Sequence, residues 1–297
     1  MKKKKVSYEK YKSRYGYVFI SLWLLGFLVL FVLPFIDSIR YSFSSMKITP
    51  GNVQLEFIGW GNYSKALFED AEFLPSFISS VGSVVFKVPL IILFSLFIAI
   101  ILNRQFKGRT FFRGVFFLPV IITSGVVIDI MNNDSLLTMI MSGERAAMML
   151  EDFSTEKILR DIGMDSVVAN YIIETVKTLL SLTWYSGIQI LIFIAGLQSI
   201  SPSLYEVSKV EGATAWDDFW KITLPMLSPM ILVNIIYSIV DIFINYSNPT
   251  FKYIQTIQGK TNFALASSMS IICFIFVFLL IGIVYLILNK HIYYAVD

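Results

Sequence analysis

The sequence has very few of the residues that build disulfides, metal sites and catalytic centres. It contains one cysteine, Cys273, and one histidine, His291, among 297 residues. A single cysteine excludes an internal disulfide, and the histidine has no neighbouring cysteine or carboxylate cluster, so we expect no metal site. The phosphate-binding pattern G-x-x-x-x-G-K-[ST] and recognisable nucleophile motifs are also missing from the sequence. We therefore predict that the chain is not an enzyme and binds no cofactor of its own.

Charged residues are also scarce. They make up 15% of the chain, whereas a typical soluble domain has about 25%. Apolar residues reach 56%, and the mean hydropathy is +0.70. The apolar residues are gathered into runs of roughly 20, which is the length that a helix needs to cross a bilayer. The composition therefore predicts an all-α integral membrane protein surrounded by membrane lipid.

Six apolar runs are long enough to span a hydrocarbon core of about 30 Å at a rise of 1.5 Å per residue. The predicted spans are Tyr17–Ile36, Val84–Leu102, Phe111–Ile130, Tyr171–Leu197, Pro225–Tyr246 and Leu265–Asn289. The first run is too long for a signal peptide and lacks a small-residue cleavage site after it. We expect it to be retained as the first transmembrane helix.

The distribution of lysine and arginine predicts the orientation of these spans. With six spans, basic residues are densest in the segments that lie inside if the N-terminus is cytoplasmic. The predicted layout is a basic cytoplasmic N-terminus at 1–16, a transmembrane domain at 17–290 with external segments at 37–76 and 131–169 and a cytoplasmic loop at 198–224, and a cytoplasmic tail at 291–297. Lys2–Lys5 fit a topology signal better than a nucleic-acid site, so we expect no nucleic-acid partner.

The external segment 131–169 is acidic and rich in methionine. Its apolar spacing suggests one or two short amphipathic helices at the membrane surface. An exposed cap and a docking surface for an external binding partner are both compatible with this pattern.

The polar stretch Tyr205–Pro229, YEVSKVEGATAWDDFWKITLPMLSP, interrupts the apolar runs. A helix start signal precedes it at Ser201-Pro202-Ser203, and Gly212 permits a sharp turn. Trp216, Phe219 and Trp220 then follow at i, i+3 and i+4, which predicts a second short helix with an aromatic face. The pattern predicts a helix-turn-helix on the cytoplasmic side, although an amphipathic loop lying at the membrane interface has the same spacing.

The residues of this stretch resemble the EAA loop of the membrane-spanning subunits of binding-protein-dependent ABC importers. The residues at the positions of this motif are Glu206, Glu211, Gly212, Ala213, Phe219, Leu224 and Pro225. The chain departs from the family pattern at Val207 and Ser208, where alanines are usual, and at Glu211, where aspartate is usual. The stretches FLVLFVLPFIDSIRYSF, FIGWGNYSKAL and RTFFRGVFFLPVIITSGVV are similar to segments of the carbohydrate-uptake, maltose-permease-like branch.

This resemblance implies a fold, a mechanism and a set of partners. It implies six transmembrane helices in a bacterial-type plasma membrane and a cytoplasmic coupling helix that sits in a groove of a separate ABC ATPase subunit. ATP and Mg²⁺ would be bound by that ATPase. A second permease subunit, forming a heterodimer with this chain, and an extracytoplasmic solute-binding protein would complete the complex. The aromatic face at Trp216, Phe219 and Trp220 would attach the loop to its own helix bundle.

Polar residues within the apolar runs are candidates for the solute path, because such residues are costly in a membrane. Aromatic, amide and carboxylate side chains suit a sugar, and the candidates of this kind are Trp184, Tyr185, Gln189, Asp241 and Asn245. Other polar residues have simpler explanations. Glu174 and Lys177 have the spacing of a helical ion pair, and the side chain of Lys87 can reach the external interface.

Three functional readings follow from the sequence. The first is a permease subunit for a sugar or oligosaccharide, and the second is the same machine for a polyol, a phosphodiester or a polyamine. The third is a self-contained secondary transporter, which would be expected to show inverted repeats or broken helices. We found neither feature in the sequence.

Overall fold

Long helices form over the apolar runs of the chain. The computed structural model describes residues 8–49, 52–123, 175, 178–179, 182–245 and 248–293. The α-helices are α1 (Tyr8–Phe27), α2 (Leu33–Ser42), α3 (Gly61–Ser64), α4 (Phe73–Asn103), α5 (Arg109–Thr123), α6 (Gly187–Ser199), α7 (Pro202–Val210), α8 (Ala215–Asp218), α9 (Leu224–Met226), α10 (Ser228–Ile244), α11 (Pro249–Gly259) and α12 (Phe263–Leu288). Helical π turns lie at Leu28–Val32, Lys65–Glu69 and Phe219–Thr223, and a 3₁₀ turn lies at Asn289–His291.

Four helical stretches in the described part of the chain are long and apolar enough to cross a membrane. They are Phe19–Ser42, Phe73–Asn103, Ser228–Gly259 and Phe263–Leu288. Helices α6 and α7 form a bent pair with an angle of 62° between them, which raises the number to five if the pair counts as one span. The four stretches overlap the first, second, fifth and sixth predicted spans. The bent pair overlaps the fourth.

The six-span count stays a prediction. Helix α5 covers the beginning of the third predicted span, and residues 124–130 lie outside the described residues. The acidic segment 131–169, Glu174 and Lys177 also lie outside the described residues.

The described helices extend beyond several of the predicted spans. Helix α1 begins at Tyr8, within the segment 1–16 predicted as the basic cytoplasmic N-terminus. Helix α4 begins at Phe73, well before Val84. Asp70 explains this start, because its carboxylate accepts hydrogen bonds from the backbone N–H groups of Glu72 (3.1 Å) and Phe73 (2.8 Å), as an N-cap residue does.

The chain divides into two compact units, residues 1–74 with 253–275, and residues 75–252 with 276–297. The first contains a two-stranded antiparallel hairpin, β1 (Ser44–Thr49) and β2 (Asn52–Phe57), in which Ser44 pairs with Phe57. The prediction of an all-α protein missed this hairpin. Its signal is a Pro-Gly pair between two short stretches of alternating polarity, which the search for apolar runs passes over.

Asn62 fixes the hairpin to the helices of the first unit. Its side-chain N–H₂ group donates to the backbone carbonyls of Ser42 (3.0 Å) and Ser44 (2.9 Å), at the junction of α2 and β1. The hydroxyls of Ser42 and Tyr63 are 2.8 Å apart. Buried backbone carbonyls need such partners, so Asn62 anchors the hairpin to the end of α2.

The second unit is built around the packing of α4, α6 and α10. Buried apolar side chains from all three helices form its core, including Ile91, Phe193 and Ile239. Gly196 of α6 lies where this packing is tightest. A Cβ atom at this position would be 2.8 Å from both Leu227 Cδ2 and Met230 Cγ, which is shorter than a normal van der Waals contact. Only glycine therefore fits there without displacing its neighbours.

We predict that Gly196→Leu destabilises the protein, because the new side chain forces α6 away from Leu227 and Met230. The expected cost is about 1–3 kcal/mol, as for other overpacked cores. It would be measured as a lower melting temperature of the purified protein in detergent. The matched control is Gly82→Ala in α4, where a Cβ atom meets nothing within 4 Å and alanine favours the helix. Equal melting temperatures for the two variants would show that α6 is not closely packed at Gly196.

Candidate functional site

The polar stretch between α6 and α10 forms a short helix, a turn and a second short helix. Helix α7 begins at Pro202, after Ser201 in an extended conformation. Proline suits the first turn of a helix because the amide hydrogen that it lacks has no partner there. The helix-turn-helix expected from the sequence is present at this position.

Gly212 ends α7 in a Schellman motif. Its φ is +81°, a conformation that residues with a Cβ atom adopt at a cost. The N–H of Gly212 donates to Lys209 O (3.1 Å), and the N–H of Ala213 donates to Ser208 O (3.0 Å). These two bonds satisfy the last carbonyls of α7. Glycine is therefore favoured at this position for its backbone conformation.

The second short helix, α8, begins with a capping box. The hydroxyl of Thr214 accepts from the Asp217 N–H (3.3 Å), and the carboxylate of Asp217 accepts from the Thr214 N–H (3.2 Å). Lys221 Nζ lies 2.7 Å from the same carboxylate. The hydrogen bond from Lys221 and then those from Thr214 hold the pKa of Asp217 well below its usual range. The cap therefore stays ionised at neutral pH.

Two side-chain contacts join α7 to the segment after the turn. The hydroxyl of Ser208 donates to the carboxylate of Asp218. The hydroxyls of Tyr205 and Thr223 are 2.9 Å apart, and Thr223 also donates to the Asp218 carbonyl (3.1 Å). Because these contacts lie along both arms of the turn, residues 202–223 form a braced hairpin of helices. We call this hairpin the polar loop.

The polar loop has an inward face and an outward face. Tyr205, Phe219 and Leu224 are partly buried against the core of the second unit. Glu206 and Glu211 are exposed. Of the other residues selected from the sequence, Ala213 and Pro225 are half-buried. The structure thus divides the predicted coupling residues between two surfaces.

The predicted aromatic face is only partly directed inward. Phe219 packs against the core, but Trp216 and Trp220 are 69% and 49% exposed, with their rings 5.5 Å apart. The prediction that Trp216, Phe219 and Trp220 share one face required a regular α-helix from Ala213 to Ile222. The α-helix ends at Asp218, and the following π turn changes the angle between successive side chains.

A second group of candidate residues surrounds a small polar cavity in the second unit. The cavity has a volume of about 30 Å³ and is lined by Ser83, Lys87, Tyr185, Ile242, Asn245, Asn248 and Pro249. This volume is sufficient for about one water molecule. The ammonium group of Lys87 lies 5.8 Å from the centre of the Tyr185 ring, within the range of a cation–π contact. We call this cavity the Lys87 pocket.

The structure brings together two of the five residues predicted for a solute path. Tyr185 and Asn245 line the Lys87 pocket, while Trp184 and Asp241 are half-buried and do not line it. Gln189 is fully buried, and its side-chain N–H₂ group donates to Ser238 Oγ (2.9 Å) between α6 and α10.

Sequence reasoning did not select Lys87, Ser83 or Asn248 for this site. The signal for Lys87 was its charge within an apolar helix, which was interpreted as a side chain reaching the interface. Asn248 had no such signal, because it lies in a short connection between α10 and α11.

Comparison with known proteins assigns most of the chain, including both candidate sites, to one protein family. Residues 72–296 match the family described as binding-protein-dependent transport system inner membrane component. This range includes the polar loop and the Lys87 pocket.

Two related sequences illustrate the similarity. The chain is 32% identical over 240 residues to a probable ABC transporter permease protein, YesP of Bacillus subtilis, covering 78% of this chain and 71% of the relative. It is 29% identical over 221 residues to the arabinooligosaccharides transport system permease protein AraP of Halalkalibacterium halodurans. That alignment covers 72% of this chain and 63% of AraP.

A solved structure has the same fold. It is the crystal structure of a bacterial alginate ABC transporter in complex with an alginate pentasaccharide-bound periplasmic protein. The match has a TM-score of 0.57 at 19% sequence identity and covers 95% of both chains.

We predict that Gly212→Val loosens the polar loop, whereas Gly212→Asn changes it little. A Cβ atom at this position meets no other group within 4 Å, so the cost comes from the left-handed backbone alone, about 1–2 kcal/mol. Asparagine tolerates this conformation better than a β-branched residue. Hydrogen–deuterium exchange of a peptide covering residues 205–223 should become roughly 5- to 30-fold faster in Gly212→Val. Equal exchange in both variants would contradict the left-handed turn.

Proposed function

The chain belongs to the family of binding-protein-dependent transport system inner membrane components, and from this membership we propose that it is a permease subunit of an ATP-driven ABC importer. In this proposal the chain is a transport subunit of the plasma membrane and not an enzyme. Six transmembrane helices cross the membrane, with both termini and the polar loop on the cytoplasmic side. This proposal keeps the membrane topology that the basic residues predict, from the cytoplasmic N-terminus at 1–16 to the cytoplasmic tail at 291–297.

The two faces of the polar loop are the observation that carries the proposal. A segment that transmits force between two proteins needs a rigid body, an attachment to one protein and an exposed surface for the other. The contacts of Ser208 and Tyr205 across the turn supply the rigid body, and Phe219 and Leu224 supply the attachment. Glu206 and Glu211 are exposed and are available to basic groups of a partner.

In the proposed complex, the outward face of the polar loop is the coupling helix that contacts the ABC ATPase. Gly212 and Ala213 allow the partner to approach the backbone closely at the turn, since a Cβ atom at Gly212 would meet none of the described residues within 4 Å. Leu224 and Pro225 begin the next span and join the loop to α10. ATP and Mg²⁺ are bound and used by the ATPase. A second permease subunit and an extracytoplasmic solute-binding protein complete the importer.

The transported solute in this proposal is a sugar or oligosaccharide. The support comes from the named function of AraP and from the alginate-bound complex with the same fold. The aromatic and amide side chains of Tyr185 and Asn245 suit such a solute, because sugars offer both apolar faces and hydroxyl groups. Trp184, Gln189 and Asp241 are retained as candidate path residues from the sequence, with Gln189 buried between helices in this conformation.

We predict that the two faces of the polar loop can be separated by mutation. Glu206→Lys should lower the amount of ATPase that co-purifies with the tagged chain at least about tenfold, because it replaces an attractive charge by a repulsive one. Its melting temperature should not change, since Glu206 is exposed. Phe219→Ala should lower the melting temperature, because it removes a large side chain from the core contact. Both quantities are measured on complexes purified from membranes.

Glu72→Lys provides the matched control for Glu206→Lys. It makes the same charge change at another exposed glutamate, outside the polar loop. Co-purification of the ATPase should be unaffected by this variant. If the wild-type chain purifies without an ATPase and still moves solute in vesicles lacking ATP, the importer proposal is wrong and a secondary transporter replaces it.

A further inference from the structure

Lys87 is a charged residue in the middle of an apolar helix. Helix α4 contains 31 residues from Phe73 to Asn103, and Lys87 lies about 21 Å along it at 1.5 Å per residue. No aspartate, glutamate, arginine or other lysine occurs in this helix. A lone charge at such a position is costly in a membrane, and residues of this kind generally face a bundle interior or a water-filled path.

The direction of the Lys87 side chain argues against simple contact with the membrane interface. Its ammonium group lies over the ring of Tyr185, on a different segment of the second unit, at 5.8 Å. The surrounding groups are the hydroxyl of Ser83 and the amides of Asn245 and Asn248. A lysine that only reached for the headgroups would point along its own helix toward the interface.

Within the described part of the chain, no carboxylate oxygen lies within 4.0 Å of the Lys87 ammonium group. Lys221 shows the contrast, because its ammonium group lies 2.7 Å from Asp217. Lys87 is also exposed in the isolated chain. The Lys87 pocket therefore presents a positive charge and neutral hydrogen-bonding groups, and the negative charge that would balance them is not supplied by the described residues.

We propose that Lys87 binds the carboxylate of an acidic sugar, so that the importer carries uronic-acid-containing oligosaccharides. This inference rests on the proposed function as a sugar permease. The cavity of about 30 Å³ accepts a water-sized group such as a carboxylate oxygen and is too small for a sugar ring. The ring would lie at the mouth of the pocket, with its apolar face near Tyr185.

The charge on Lys87 gives the site its selectivity. A hydrogen bond between an ammonium group and a carboxylate is stronger than one between neutral groups. A neutral sugar at the same position would leave the ammonium group without a counter-charge, which is costly away from water. The side-chain amide of Asn248 is already bonded to Ser80, Phe251 and Ile242, so it does not distinguish the two kinds of sugar. The discrimination therefore depends on Lys87 and not on the amides.

The test compares uptake of acidic and neutral oligosaccharides by the complete importer in cells that lack other transporters for them. The probes are radiolabelled digalacturonate and unsaturated uronate disaccharides, each paired with a neutral disaccharide of the same length. We expect the wild type to take up an acidic probe. Lys87→Gln should lower this uptake about 10- to 100-fold, as expected for loss of a hydrogen bond to a charged group, and Lys87→Arg should retain at least about a third of it.

Two controls show whether the effect is specific. Lys65→Gln removes one exposed positive charge outside α4 and should leave uptake unchanged. Co-purification of the ATPase with Lys87→Gln shows that this variant assembles. Uptake restricted to neutral probes in the wild type, or equal uptake of an acidic probe by the wild type and Lys87→Gln, overturns the proposal.

The outcomes for the two proposals differ. If the complex assembles with its ATPase and takes up no oligosaccharide of either kind, the sugar assignment fails and the inference about Lys87 fails with it. If it takes up neutral sugars and Lys87→Gln does not assemble, Lys87 is paired with a neighbouring subunit, and the inference fails while the proposed function stands.

Discussion

The close packing of α6 against α10 is the contact on which the polar loop depends. Helix α6 precedes the loop and α10 follows it after the short helix α9. Gly196 allows a close approach at Leu227 and Met230. The ends of α6 and α10 thereby set where the loop begins and ends. Gln189 and Asn234 add polar contacts in the same interface, where Asn234 donates to the Gln189 carbonyl at 3.3 Å. The position of this short loop is fixed because the helices at its two ends are packed against each other.

Several polar side chains in the second unit are used in one of two ways. Those within the helix packing bind to one another, as Ser80 does with Asn248 (2.9 Å) and Thr250 (2.7 Å). Those in the polar loop satisfy helix ends, as Thr214 and Asp217 do. Both uses follow from the cost of an unpaired polar group away from water. Lys87 fits neither use, which is why its position points to an external ligand.

The sequence predicted the features that depend on local pattern. Apolar runs located the helices around Val84–Leu102 and Leu265–Asn289. Gly212 predicted the turn of the polar loop, and its φ in the structure is positive. Features that depend on contacts between distant residues were not predictable in this way. Phe219 packs inward while Trp216 and Trp220 are exposed, and no residue pattern indicates the π turn that follows Asp218. Tyr185 and Asn245 were selected by residue type alone, and their meeting with Lys87 required the packing of α4 and α10.

Helix α10 connects the two regions to which we assign function. It begins at Ser228, next to the polar loop, and ends at Ile244, next to the Lys87 pocket, where Asn248 donates to the Ile242 carbonyl at 3.1 Å. Its 17 residues span about 25 Å, and its only proline lies in the first turn, where it does not break the helix. A helix without an interior break moves as one body. In the proposed importer, a push on the polar loop by the ATPase would therefore reach the wall of the pocket through α9 and α10, with no break inside α10.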